Sequence, residues 1–243
     1  MPILLFLVLH WYLSLFSQTF FHHRYGAHKM FTMNPFWEKF FWIFTWITQG
    51  SSYLNPRAYA VMHRMHHAYS DTEKDPHSPL YFRDAFQMIW HTKDYYAALC
   101  KNQVQPEPRF DKNIPSWPAM EKVAESNWSR YTFAALYIGF YVIFATQWWM
   151  WIFLPFHFFM GPIQGAVVNW AGHKYGYTNY TDGDHSKNTL FIDLLLLGEL
   201  FQNNHHHFAA RANFATRWWE FDPVYPVIKL LDMFRIVRIV KAT

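Results

Sequence analysis

The sequence predicts an all-α protein embedded in a membrane, on three observations. Long stretches carry no charge, aromatic residues are abundant, and histidines recur at helical spacing. Of the 243 residues, 22% are Phe, Trp or Tyr and only 16% are charged. A soluble globular chain carries about 25% charged residues, so much of this chain faces something other than water. The mean hydropathy of −0.13 conceals this, because the scale counts Trp, Tyr and His as polar.

Residues 1–21 and 131–170 contain no Lys, Arg, Asp or Glu. A membrane span needs roughly 20 apolar residues. The first stretch fits one span, and the second fits two joined by a tight turn near "QWWMWIFLPF". Three spans are therefore predicted near 3–21, 131–149 and 152–170, within a single domain 1–243. The start lacks the basic region and small-residue cleavage site of a signal peptide. A buried hairpin is a poor account of forty charge-free residues. All charges fall in two blocks, 22–130 and 171–243. Three spans put both blocks on one side, which the positive-inside rule makes cytoplasmic, with the N-terminus outside. These blocks are expected to form a helical cap.

The segment "NPFWEKFFWIFTWITQGSSYL" (34–54) invites confusion with a further span. Crossing there would put His28 and His63 on opposite faces of the membrane. With Glu38, Lys39, Trp37, Trp42 and Trp46 it reads instead as an interfacial helix near 35–53.

Several chemistries are excluded. The single cysteine, Cys100, rules out internal disulfides, thiolate metal clusters and a C-x-x-C redox pair. No G-x-G-x-x-G or G-K-[ST] loop marks a nucleotide or flavin site. A net charge of +4, spread rather than clustered, gives no case for nucleic acid.

The fifteen histidines fall unevenly. His63, His66 and His67 in "HRMHH" are related as i, i+3, i+4, so they share one face of a helix. Gln202, His205 and His206 in "QNNHHH" repeat that spacing, and Asn169 and His173 in "NWAGH" are i, i+4. His23 and His28 in "HRYGAH" are i, i+5, about 140° apart on a regular α-helix; fraying at Gly26 would let them embrace one site. Imidazole suits iron, zinc and copper. One zinc ion takes four ligands, so eight histidines exceed one tetrahedral centre and suit two octahedral metals. His10, His91 and His157 stand alone and read as satisfied or exposed polar residues.

In this order, H-x-x-x-x-H, H-x-x-H-H, N-x-x-x-H and a late [HQ]-x-x-H-H resemble the membrane-bound acyl desaturases. The nearer likeness is to bacterial members of the acyl-CoA (stearoyl-type, Δ9) branch, through "HRMHHAYSDTEKDPHSP" and "NWAGHKYGY" followed by "LGELFQNNHH". The resemblance covers about residues 5–215. It implies an oxidoreductase with two Fe ions (Fe2+/Fe3+) that uses O2 to remove two hydrogens from a long acyl chain, with no catalytic residue beyond the di-iron centre. His23, His28, His63, His66, His67, His173, His205 and His206 would be metal ligands. Asn169 would hold a metal-bound water, and Gln202 would be a weak or water-mediated contact. Asp75, His77 and His207 would stand just behind the ligands. A fatty acyl substrate, with CoA as the expected carrier, membrane lipid and an external electron donor (ferredoxin, rubredoxin or a cytochrome b5-like protein) are the implied partners. The implied location is the bacterial inner membrane with the site on the cytoplasmic side.

Gln202 departs from the pattern, since the resemblance implies histidine there. A neutral amide oxygen is a weaker donor than imidazole, which keeps a related di-iron lipid hydroxylase or ketolase in contention. Two further readings are a non-enzymatic membrane metal binder or transporter, and a b-heme carrier using His10 and His157. Transporters place ionisable ligands at mid-membrane, whereas the grouped histidines here flank the spans.

Overall fold

A computed structural model describes residues 1–240. The chain opens with helix α1 (Pro2–Ser17), which runs without interruption into a π-helix (Gln18–Ala27). Together, Pro2–Ala27 form one helix long and apolar enough to cross a membrane. Its outer face exposes Leu5, Val8, Leu9 and Leu13, while His10, Ser14 and Ser17 are buried. One apolar face thus points outward, while Ile3, Leu15, Phe20 and Phe21 are buried with the polar residues.

Helix α2 (Pro35–Gln49) starts where Asn34 accepts a hydrogen bond from the Trp37 N–H at 3.1 Å, with Pro35 in the first turn. Both features favour a helix N-terminus. Phe36, Phe40, Ile43 and Ile47 form an exposed apolar stripe, whereas Phe41, Trp42 and Thr45 pack inward. Helix α3 (Pro56–Tyr69) repeats the device, with Asn55 accepting from the Ala58 N–H at 2.8 Å. Helices α4 (Ala85–Cys100) and α5 (Pro118–Ala124) follow.

Helix α6 (Asn127–Phe144) ends five residues short of the expected span boundary. The segment beyond it is not one straight helix. A 3-10 turn (Trp148–Phe153) and helix α7 (Leu154–Phe158) meet helix α8 (Met160–Gly172) at 74°. Pro162 is the local cause: it has no N–H for the Phe158 carbonyl, and its ring crowds that carbonyl. The segment expected to span at 152–170 is thus bent, the shape of either a broken span or a re-entrant loop.

Residues 173–201 are irregular, joined by isolated bridges such as Tyr177 to Asn188. They lead to the short helix α9 (Gln202–His207) and then to α10 (Val224–Met233). The fold is not wholly helical. Strand β1 (Phe31–Met33) pairs antiparallel with β2 (Val237–Ile239), fastening the C-terminal region beside the π-helix. The principal core lies here, around Phe20, Phe21, Phe31, Trp42, Phe201 and Phe214.

Candidate metal centre

The eight histidines singled out by spacing converge in two groups. His23, His28, His63, His67 and His205 form one, and His66, His173 and His206 form the other; in each, the possible ligand atoms lie within 4.8 Å of one another. The division runs through α3. His63 and His67, one turn apart, face the first group, and His66 faces the second.

The π-helix explains how His23 and His28 meet. Its i→i+5 bonding stacks residues five apart one turn above each other, and the His28 N–H donates to the His23 carbonyl at 3.1 Å. Helix widening, and not the expected fraying, brings the two imidazoles to 5.1 Å between centroids. Gly26 belongs to this geometry, because a Cβ there would stand 3.1 Å from the Phe21 carbonyl oxygen. Arg64 of α3 ties the end of the π-helix down, donating from Nε to the Ala27 carbonyl at 2.8 Å and from Nη2 to the Gly26 carbonyl at 3.1 Å.

In the five-histidine group the Nε2 atoms form a chain of close contacts. His28 to His63 is 2.7 Å, His63 to His67 is 3.0 Å, His67 to His205 is 2.9 Å, and His205 to His23 is 2.8 Å. Metal–imidazole bonds of about 2.1 Å at right angles would place neighbouring nitrogens about 3 Å apart. His23 Nδ1 lies 2.6 Å from Glu199 Oε2. A carboxylate only accepts, so the His23 proton sits on Nδ1 and Nε2 presents a lone pair to the group. Converging lone pairs of this kind fit a cation.

The three-histidine group fits one equally well. His66 Nδ1 donates to Asp75 at 2.8 Å, His173 Nδ1 to Asp71 at 3.1 Å, and His206 Nδ1 to Asp184 at 2.6 Å. Each Nε2 is buried and has no hydrogen-bond partner among the described residues. Carboxylates behind metal-binding histidines fix the tautomer and raise ligand basicity. Burial lowers the pKa values of His28, His63, His66, His67 and His205 well below the usual histidine value, and neighbouring imidazoles lower them further. All five are thus held neutral, the form that binds metal. Burial alone would raise Asp184 and Asp71, but the histidine hydrogen bonds outweigh it and hold both below the usual carboxylate range.

The remaining candidates take distinct places. Asp75 is the His66 partner. The His77 ring packs 4.5 Å from that of His66, and burial pushes its pKa down to about 3. His207 lies outside both groups, donating to Asp182 at 2.6 Å and stacking on Tyr180. Asn169 and Gln202 line a largely apolar cavity of about 570 Å³, together with His63, His77 and Glu199. A separate polar cleft of about 240 Å³ is lined by His67 and His206 among others.

Spacing did not reveal Asp71, Asp184 and Glu199, which come from irregular segments far from their histidines in sequence. The paired asparagines of "QNNHHH" are a second omission. Asn203 donates to the Tyr180 carbonyl at 3.0 Å, and Asn204 to the Phe214 carbonyl at 3.0 Å and to Glu220 at 2.8 Å. Their burial was the missed signal: two adjacent amides lock a helix of only six residues in place. His10 and His157 are not solitary either. Their Nδ1 atoms are 2.7 Å apart, and Tyr141 Oη lies 3.0 Å from His157 Nε2. That contact leaves no room for a macrocycle between the two rings, which removes the b-heme reading.

Two histidine groups that could hold metal ions, one of them reaching an apolar cavity through His63, form the arrangement of a metal-dependent enzyme with an apolar substrate. A family model described as "Fatty acid desaturase" matches residues 1–234. The chain belongs to that family and is an oxidoreductase acting on fatty acids. It is 28% identical over 238 residues to the "sn-1 stearoyl-lipid 9-desaturase" of Anabaena variabilis, covering 97% of this chain and 82% of that protein. It is also 28% identical over 241 residues to the "Delta-9 desaturase-like 5 protein" of Arabidopsis thaliana, covering 94% and 73%. Similarity to the "Acyl-CoA 5-desaturase AL21" of Anemone leveillei is 28% over 238 residues, covering 94% and 68%.

Proposed function

We propose that this desaturase introduces a cis double bond into a long-chain fatty acyl group, Δ9 in type, using O2 and two iron ions. The observation that carries the reading is the pair of histidine groups, one of which reaches an apolar cavity through His63. His23, His28, His63, His67 and His205 would hold one iron, and His66, His173 and His206 the other. Bound there, iron supplies the oxidising chemistry. The balance is two hydrogens from adjacent methylenes, one O2, two external electrons and two protons, giving the alkene and two waters.

The chain's own residues shape the rest. Leu54, Met62, Met88, Phe158 and Phe159 line the cavity and would hold the acyl chain away from water. Asn169, four residues before His173 on α8, lies on the same helical face and would hold a water beside the second metal. Lys93 and Arg130 also line the cavity. Their charges favour an anionic carrier, and we take CoA as that carrier. Relatives named for lipid-linked and for CoA-linked activities make the carrier a point to test. Electrons would come from a ferredoxin, rubredoxin or cytochrome b5-like donor. Three spans, the last one broken, would place the site at the cytoplasmic face of a bacterial inner membrane.

The test is expression in a host with saturated lipids, followed by location of new double bonds in the total acyl pool. A monounsaturated product at position 9 supports the reading, and a hydroxylated chain without alkene supports the hydroxylase. Incubating purified protein with acyl-CoA or with phospholipid then separates the carriers.

A further inference from the structure

The two histidine groups are unequal. One offers five imidazole nitrogens and the other three, so equal coordination would need two more donors from beside the smaller group. Gln202 is placed to be one. It lies on α9 one turn before His206, the relation that gives helical side chains a common face. It also packs against α8 directly beside His173: a Cβ on Gly172 would stand 2.4 Å from Gln202 Cγ. Its side chain is buried, and Nε2 donates to the Glu199 carbonyl at 2.6 Å. The amide is therefore oriented, and its carbonyl oxygen has no hydrogen bond among the described residues.

We propose that the chain holds its two metal ions unequally, one tightly in the five-histidine group and one exchangeably in the three-histidine group, where the amide of Gln202 occupies the place of a fourth imidazole. This rests on the two-metal reading above. Five imidazoles nearly fill an octahedral shell, so that ion is slow to leave and has little room for an outside ligand. Three imidazoles and a neutral amide leave open positions, and Asn169 and Gln202 bring those positions to the wall of the apolar cavity. Three-ligand sites with open positions are the arrangement of metals that take up exogenous ligands. The smaller group is thus the one that empties first. The carboxylates behind His66, His173 and His206 keep its apo form ordered, so the ion can leave and return without local unfolding.

The experiment is metal binding by the full-length protein in detergent, stripped with chelator and titrated anaerobically with Fe2+ and, for its ligand-field spectrum, Co2+. Two steps are expected, the second at least tenfold weaker. His173→Ala should abolish the weak step and spare the tight one, and His28→Ala should perturb the tight one. Gln202→His should tighten the weak step about tenfold or more, in line with the usual sensitivity of metal sites to single donor changes. Two ions bound in a single step of equal affinity would overturn the proposal, as would a Gln202→His variant whose weak step is unchanged. A protein that binds fewer than two ions at saturation would overturn the two-metal reading itself.

Discussion

His206 Nδ1 stands 2.6 Å from Asp184 Oδ2, with both side chains largely buried. The carboxylate can only accept, so it fixes the proton on Nδ1 and turns the Nε2 lone pair toward His66 and His173. Asp184→Asn removes the charge and presents an NH2 that can no longer enforce this tautomer. It should weaken metal binding to the smaller group by about 10- to 100-fold with little change in fold. His206→Ala should abolish that binding. Metal retention after dialysis, with circular dichroism as the folding control, checks both variants.

A second prediction concerns Arg24, which is fully buried between Asp222 at 2.8 Å and the Phe214 ring at 3.8 Å. Removing one partner of a buried ion pair strands the other charge, at a cost of about 3–5 kcal/mol. Arg24→Met should therefore lower the denaturation midpoint strongly, and more than Arg83→Met at an exposed pair. Thermal unfolding in detergent measures this.

The contact between His10 and His157 predicts loss of stability without loss of metal. Either residue changed to Ala leaves a buried ring nitrogen without its partner, costing about 1–3 kcal/mol. Metal content should stay at the wild-type value while the melting temperature falls. Metal loss in His10→Ala would tie this contact to the centre after all.

Stability of the metal-free protein should depend on pH with a definite sign. His28, His63, His66, His67 and His205 are depressed below 6.5 on folding. Their imidazoles therefore bind protons more readily in the unfolded chain. Stability falls wherever the unfolded state binds more protons as pH drops. The decline should begin near pH 6.5 and continue on further acidification. Denaturant midpoints from pH 8 to 5 give the slope.

Topology supplies a further prediction. Reporters fused after residues 60 and 120 should both lie in the cytoplasm, with the N-terminus outside. A reporter at 60 facing the periplasm would separate His28 and His63 and dissolve the five-histidine group.

The sequence made part of this site legible, for a local reason. In α3 and α9, i, i+3, i+4 spacing is a property of one helix, so the shared faces of His63, His66, His67 and of His205, His206 can be read directly. The apolar character of Pro2–Ala27 is local in the same way. The His23–His28 pairing is not, because α-helical periodicity sets the two apart and only the π-helix joins them. Asp71, Asp184 and Glu199 reach their histidines across 102, 22 and 176 residues, and no periodic signal spans such separations. The break at Phe159 was marked only by Pro155, Gly161 and Pro162 inside a largely apolar run. Gln202 could be read as a departure, but its contact with Gly172 depends on how α8 and α9 pack.

The central claim is that eight histidines hold two irons, and it is tested most directly by iron content across single alanine variants. Wild-type protein purified from iron-supplied cells and reconstituted with Fe2+ should hold about two irons per chain, without a heme absorption band. Alanine at His23, His28, His63, His66, His67, His173, His205 or His206 should each lower that number and abolish the alkene product, whereas His91→Ala and His207→Ala should preserve both. Full iron content and activity in half of the eight variants would contradict the account.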